Sequence, residues 1–148
     1  MSRILQIGPF PDVPATIPDG CIVVTPHAAA ARTLNVKKRT LENLARAVVR
    51  TGGLMPASPL AAGRILKATV RDLVPNVSPS SFTARIRQIL ETILRTGIDI
   101  EALRENGSPQ IEQVARITAE YRSRLRGLSL IDPVEVLWEA AEGPAAVE

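Results

Sequence analysis

His27 is the only histidine of the 148-residue chain and Cys21 its only cysteine, so acid–base, thiol and metal chemistry each rest on a single side chain. A nucleophilic triad would need His27 as its base, with a serine and a carboxylate brought to it by the fold. The sequence contains no G-x-S-x-G elbow to mark such a serine. One histidine and one cysteine leave only scattered carboxylates for a metal, without an H-E-x-x-H pair or an acidic loop. Cys21 opens the apolar run CIVV, where a free cysteine serves as a small buried hydrophobe. A lone cysteine also rules out an intramolecular disulfide and fits a reducing compartment. Gly8-Pro9 stands where a phosphate-binding turn would follow a first strand, but the continuation FPDVPATIPDG has no lysine to hold a phosphate.

With catalysis unsupported, binding is the chemistry that the residues allow. In VVTPHAAAARTL, residues 23–34, a strand ends at Thr25, turns through Pro26 and His27, and enters an alanine-rich helical run. Such a junction presents a hydroxyl, an imidazole and free helix-start amides on the side of an α/β sheet where ligands bind. A second junction, KKRTLENLAR, places Thr40 as the N-cap of a helix behind Lys37, Lys38 and Arg39, with Arg32, Arg46 and Arg50 close in sequence. Charge agrees: residues 32–74 hold nine basic side chains against two acidic ones, whereas residues 105–148 hold four against eight. Clustered lysine and arginine point to a polyanion, and two adjacent junctions would form a groove able to follow a phosphate backbone. No aromatics interleave the basic residues, which argues against tight base stacking by this segment alone.

The elements that must position these residues are legible in the spacing. RILQIG (residues 3–8) and CIVVT (21–25) read as strands separated by a four-proline connection, and VKK (36–38) is a candidate third strand. A run apolar on both faces suits a parallel sheet covered by helices. From Thr40 onward the pattern is helical. Ser58-Pro59, Ser78-Pro79, Ser108-Pro109 and Asp132-Pro133 each set a capping side chain before a proline, and Asp132 with Glu135 resembles a capping box. Gly52-Gly53, Gly97, Gly107, Gly127 and Gly143 read as left-handed stops. Apolar stripes run through Leu41, Leu44, Ala45 and Val48; through Ile65, Leu66, Val70 and Leu73; through Phe82, Ile86, Ile89, Leu90 and Ile93; and through Ile111, Val114, Ala115 and Leu125. Val134, Leu137 and Trp138 complete the core set, with Trp138 read as a packing anchor. The fold class is therefore mainly α with a small N-terminal parallel β-sheet, divided into an α/β part over residues 1–53 and a helical part over residues 54–148.

Both junctions resemble motifs Ia and Ib of the UvrD/Rep-type superfamily 1 DNA helicases and their AddB-like, nuclease-associated relatives. The T-P/N-x-x-A-A pattern corresponds to Thr25-Pro26-His27-Ala28-Ala29-Ala30, and the T-F/L-x-x-L-A pattern to Thr40-Leu41-Glu42-Asn43-Leu44-Ala45. YRSRLRGLSLIDPVEVLWEAA is similar to a segment of the helical 1B subdomain in that family, so the resemblance spans about residues 21–142. It implies a fragment of a P-loop-like motor domain joined to a 1B-like subdomain. It also implies contact with single-stranded DNA through Thr25, His27 and Thr40, to which the charge pattern adds Arg32 and Arg46. Walker A is missing and no Asp-Glu motif follows, so ATP and Mg²⁺ are expected only for a complete family member and no cofactor is expected in this chain. The expectation is a fragment or degenerate member, non-catalytic, acting in DNA repair or recombination beside a nuclease or helicase partner subunit. No apolar stretch approaches the roughly 20 residues that span a bilayer, so a cytoplasmic protein without membrane contact is expected. The alternative is a helical protein–protein interaction module whose basic stretch is simply solvated.

Overall fold

The computed structural model describes residues 23–25, 38–76 and 79–143. They are mainly helical, with small parallel strand pairs. The chain divides into two units, Met1–Thr40 and Leu41–Glu148.

In the first unit, β1 (Val23–Thr25) pairs in parallel with β2 (Lys38–Thr40). The register sets Val23 against Lys38, Val24 against Arg39 and Thr25 against Thr40. The strand expected in CIVVT is thus present over its last three residues. Strand pairing at the second junction is shifted two residues from VKK to KRT, the two sharing Lys38. The expected strand at residues 3–8, the proline-rich connection and the alanine helix lie outside the described residues.

The second unit contains six helices among its described residues: α1 (Leu41–Thr51), α2 (Pro59–Leu73), α3 (Pro79–Thr96), α4 (Ile100–Asn106), α5 (Pro109–Gly127) and α6 (Val136–Glu142). A short parallel pair, β3 (Met55–Pro56) with β4 (Leu130–Ile131), ties the α1–α2 connection to the α5–α6 connection. Proline punctuation opens helices at Pro59, Pro79 and Pro109 as the sequence implies, but not at Pro133. Pro59 and Pro109 open α2 and α5, and Ser58 Oγ accepts from the Ala61 amide at 3.2 Å. Ser108 precedes Pro109 without a side-chain cap, and α4 is capped instead by Asp99, whose Oδ1 accepts from the Glu101 amide at 2.9 Å. Gly53, Gly97 and Gly143 take positive φ, whereas Gly107 is extended and Gly127 is the last residue of α5.

The main core joins Leu66 and Val70 of α2, Ile86, Leu90 and Leu94 of α3, and Ile117, Tyr121 and Leu125 of α5. A second cluster packs Ala45 and Val49 of α1 against Ile131 and Val136. Because that cluster binds α1 to α6, the unit boundary falls after Thr40 and differs from the division at residue 53 expected from the sequence. The apolar stripes hold in period but not always in phase. Val49, Leu94, Ile117 and Tyr121 are buried, while Leu41, Ile89, Ile111 and Leu137 stand about half exposed. Helical periodicity leaves the flanks of an apolar arc undecided, and the angle at which α3 and α5 meet their neighbours settles which flank is covered.

Asp132 accepts a free amide as the spacing suggests, that of Val134, but the helix starts three residues later than Pro133 implies. α6 begins at Val136, with Glu135 preceding it and making no side-chain cap. Asp132 is fully buried: its Oδ2 accepts from Tyr121 Oη at 2.5 Å and from Arg87 Nη1 at 2.8 Å, and its Oδ1 accepts from the Val134 amide at 3.0 Å. Arg87 also donates to Glu91 at 2.6 Å and to the Tyr121 oxygen at 3.1 Å. Burial opposes the charge on Arg87, but its bond to Glu91 and the Asp132 charge outweigh that and push its pKa up. Burial, and then the bond to Asp132, pushes the Tyr121 phenol well above its ordinary value. This node holds α3, α5 and the turn before α6 in one register.

Candidate nucleic-acid interface

Thr25 and Thr40 are the two predicted site residues that the structure brings together. They are register partners at the C-terminal ends of adjacent parallel strands. Strand ends of this kind are where open α/β layers place their ligands, because the following loops and helix starts offer amides there. Thr40 is half-buried and immediately precedes α1, at the position of an N-cap. Valine at residues 23 and 24 and threonine at residues 25 and 40 favour the extended conformation that this pairing needs. His27 and Arg32 lie outside the described residues.

Arg46 belongs to the second unit, on α1. Its guanidinium closes on Glu42 one turn earlier, with Nη2 at 2.6 Å and Nε at 3.1 Å from one carboxylate oxygen. Both side chains are well exposed, so the pair contributes at most about 1 kcal/mol and the guanidinium can exchange its carboxylate for a phosphate.

Several other arginines are engaged in the same manner. Arg104 pairs with Glu101 at 2.9 Å, Arg122 with Glu135 at 2.7 Å and Arg126 with Glu139 at 2.5 Å. Arg124 bridges Glu120 at 2.7 Å and Asp72 at 2.8 Å. The bond from Arg124, then that from Arg71, holds the Asp72 carboxyl below its ordinary range. The bond from Arg126 does the same for Glu139, while burial pushes Glu135 up. By contrast Arg64, Lys67 and Arg71 of α2 are exposed, and Arg71 alone of the three contacts a carboxylate among the described residues, Asp72 at 3.2 Å. A charge count along the chain includes these three as basic residues but does not show that their spacing of three and four places them on one face. Helical period is the signal that finds them.

A second feature is a cleft of about 600 Å³ between α3, α4, α5 and α6, walled by Ile98, Trp138, Arg122 and Glu135 among others. Trp138, expected as a packing anchor of the core, belongs to none of the core clusters; its indole N–H donates to the Arg95 carbonyl at 2.8 Å and its ring lies beside Gly97. It is about half exposed, as is Ile98. Among the described residues no cluster of three or more histidine, cysteine or acidic side chains is arranged to hold a metal ion, and no helix is long and apolar enough to cross a membrane.

No family model, curated protein or solved structure matches the chain.

Proposed function

We propose that the chain is a non-catalytic, helicase-like module that contacts single-stranded DNA within a repair or recombination assembly. In this reading its small parallel sheet derives from a P-loop-like motor domain, and it works in the cytoplasm. The observation that carries the proposal is the register of β1 and β2, which sets Thr25 beside Thr40 at the ends of parallel strands. Two hydroxyl-bearing residues side by side at strand ends, one of them directly before a helix, suit the phosphates of a strand better than a compact substrate. The basic excess over residues 32–74 supports the same partner. ATP and Mg²⁺ belong to a complete family member and have no role in this contact; a nuclease or helicase subunit is the partner in this reading.

Fluorescence anisotropy of a labelled oligothymidylate tests the proposal. Binding should weaken as salt rises, with log K falling by about 0.7 per phosphate contact for each tenfold increase. Thr25→Ala combined with Arg46→Ala should weaken it further. Absence of binding at low salt would remove the proposal.

A protein-interaction module is the second reading, favoured by the half-exposed Ile98 and Trp138 in the α3–α6 cleft. If that cleft is the functional surface, Ile98→Glu abolishes partner capture while leaving oligonucleotide binding intact.

A further inference from the structure

The outer face of α2 differs from the charged faces of its neighbours in how its charge is balanced. α1, α3, α4 and α5 each place a carboxylate three or four residues from an arginine: Glu42 with Arg46, Glu91 with Arg87, Glu101 with Arg104, Glu120 with Arg124. α2 places cations there instead. Arg64, Lys67 and Arg71 follow one another at three and four residues, all exposed. Like charges at these spacings destabilise a helix by about 0.2–0.5 kcal/mol per pair, so this pattern works against the stability of α2. The one acidic residue of α2 is Asp72, which reaches Arg71 of the stripe at 3.2 Å and Arg124 of α5 at 2.8 Å, leaving Arg64 and Lys67 without a carboxylate among the described residues. The positive field is extended at the other end, where the first turn carries no acidic side chain and the helix dipole is positive.

We propose that this face of α2 is a phosphate-backbone contact surface for single-stranded nucleic acid. Its three cations span about 10 Å along the helix, at 1.5 Å per residue, enough to meet more than one phosphate of a strand. A membrane surface is the other large polyanion; a helix that lies in one sinks an apolar face into the lipid, whereas a basic face alone is drawn only to an anionic leaflet. Most apolar side chains of α2 are committed to the core, with Ala62, Leu66 and Val70 each about 1% exposed, which leaves Leu60, one turn before Arg64, as its exposed leucine. The inference takes its polyanion from the single-stranded DNA reading, whereas the surface itself stands on the charge pattern of α2.

The full chain is titrated with labelled oligothymidylate over a salt series, beside the variant Arg64→Ala/Lys67→Ala/Arg71→Ala. All three side chains are exposed, so the variant should keep its far-ultraviolet circular dichroism. Three lost contacts should lower the salt slope by about 2 and weaken binding at least about tenfold at low salt. Arg64→Lys/Arg71→Lys, which keeps the charges, should retain the slope. Binding by the parent with an unchanged slope in the triple alanine variant overturns the α2 surface and leaves the strand-end edge standing. Absence of binding by the parent overturns both. Phosphatidylserine vesicles give the remaining arm: vesicle binding that depends on these residues, without oligonucleotide binding, makes the face a lipid contact and overturns the proposal.

Discussion

Replacing Arg87 by methionine isolates the energetics of the buried node that joins α3, α5 and the turn before α6. Methionine keeps most of the packing of the arginine stem and removes only the charge and its donors. What it leaves behind is the Asp132 carboxylate, with no solvent exposure and with only the Tyr121 hydroxyl and the Val134 amide as donors. Removing one member of a buried ion pair costs about 3–5 kcal/mol, chiefly because the remaining charge is stranded. Arg87 is itself partly exposed, with 26% of its side chain in solvent, but Asp132 at 0% is the group left unpaired. The loss should therefore fall near the middle of that range, about 4 kcal/mol. Urea unfolding can be followed by the fluorescence of Trp138, the only tryptophan, which reports on the helical unit. With a slope of about 1–3 kcal/mol per molar, the midpoint should fall by about 2 M. Removing all three polar partners, in Arg87→Met/Tyr121→Phe/Asp132→Val, should recover most of the loss, since apolar replacements of buried ion pairs are often near neutral. A single variant that loses less than about 1 kcal/mol, or a triple variant no better than the single, refutes the stranded-charge reasoning.

Other expectations are smaller and independent. Ser58→Ala should cost about 1 kcal/mol by removing the side-chain acceptor of the Ala61 amide, read in thermal unfolding. Gly97→Ala should cost about 1–2 kcal/mol, because Gly97 sits at φ +65° and an added Cβ would stand 3.0 Å from the Trp138 ring; a shifted tryptophan emission maximum checks it. On the acid side, Glu139 has its pKa held below the ordinary 4.5 by Arg126. Its stabilisation is complete above that value and disappears as pH falls through the depressed one. Glu139→Gln should flatten that part of an acid-unfolding curve. Glu135, raised by burial, has the opposite sign: its contribution is present below 4.5 and declines as pH rises through the raised value.

Part of the candidate interface is legible in the residues alone. β-branched residues beside Thr25 predict a strand end, and the motif spacing singles out Thr25 and Thr40. Their pairing is not legible there, because parallel register is fixed by the path of a connection rather than by either strand. Arg46 reads as an available cation, yet its state depends on the rotamer by which Glu42 reaches it. The α2 stripe is implicit in the numbering of Arg64, Lys67 and Arg71, but a charge sum along the chain hides it and only a projection around the helix reveals it.

Helical character, most helix starts and the left-handed turns at Gly53, Gly97 and Gly143 follow from the order of residues, because each depends on chemistry within a few positions. A proline lacks an N–H, a serine oxygen can accept an amide, and a glycine has no Cβ to clash. That Asp132, besides accepting the Val134 amide, is a buried partner of Arg87 and Tyr121 depends on the packed molecule. Arg87 and Asp132 are 45 residues apart and meet only once α3 and α5 have come together. The same holds for which arginines are neutralised. A charge binds whichever opposite charge the packing brings near, and on the outer face of α2 packing brings none to Arg64 or Lys67 among the described residues.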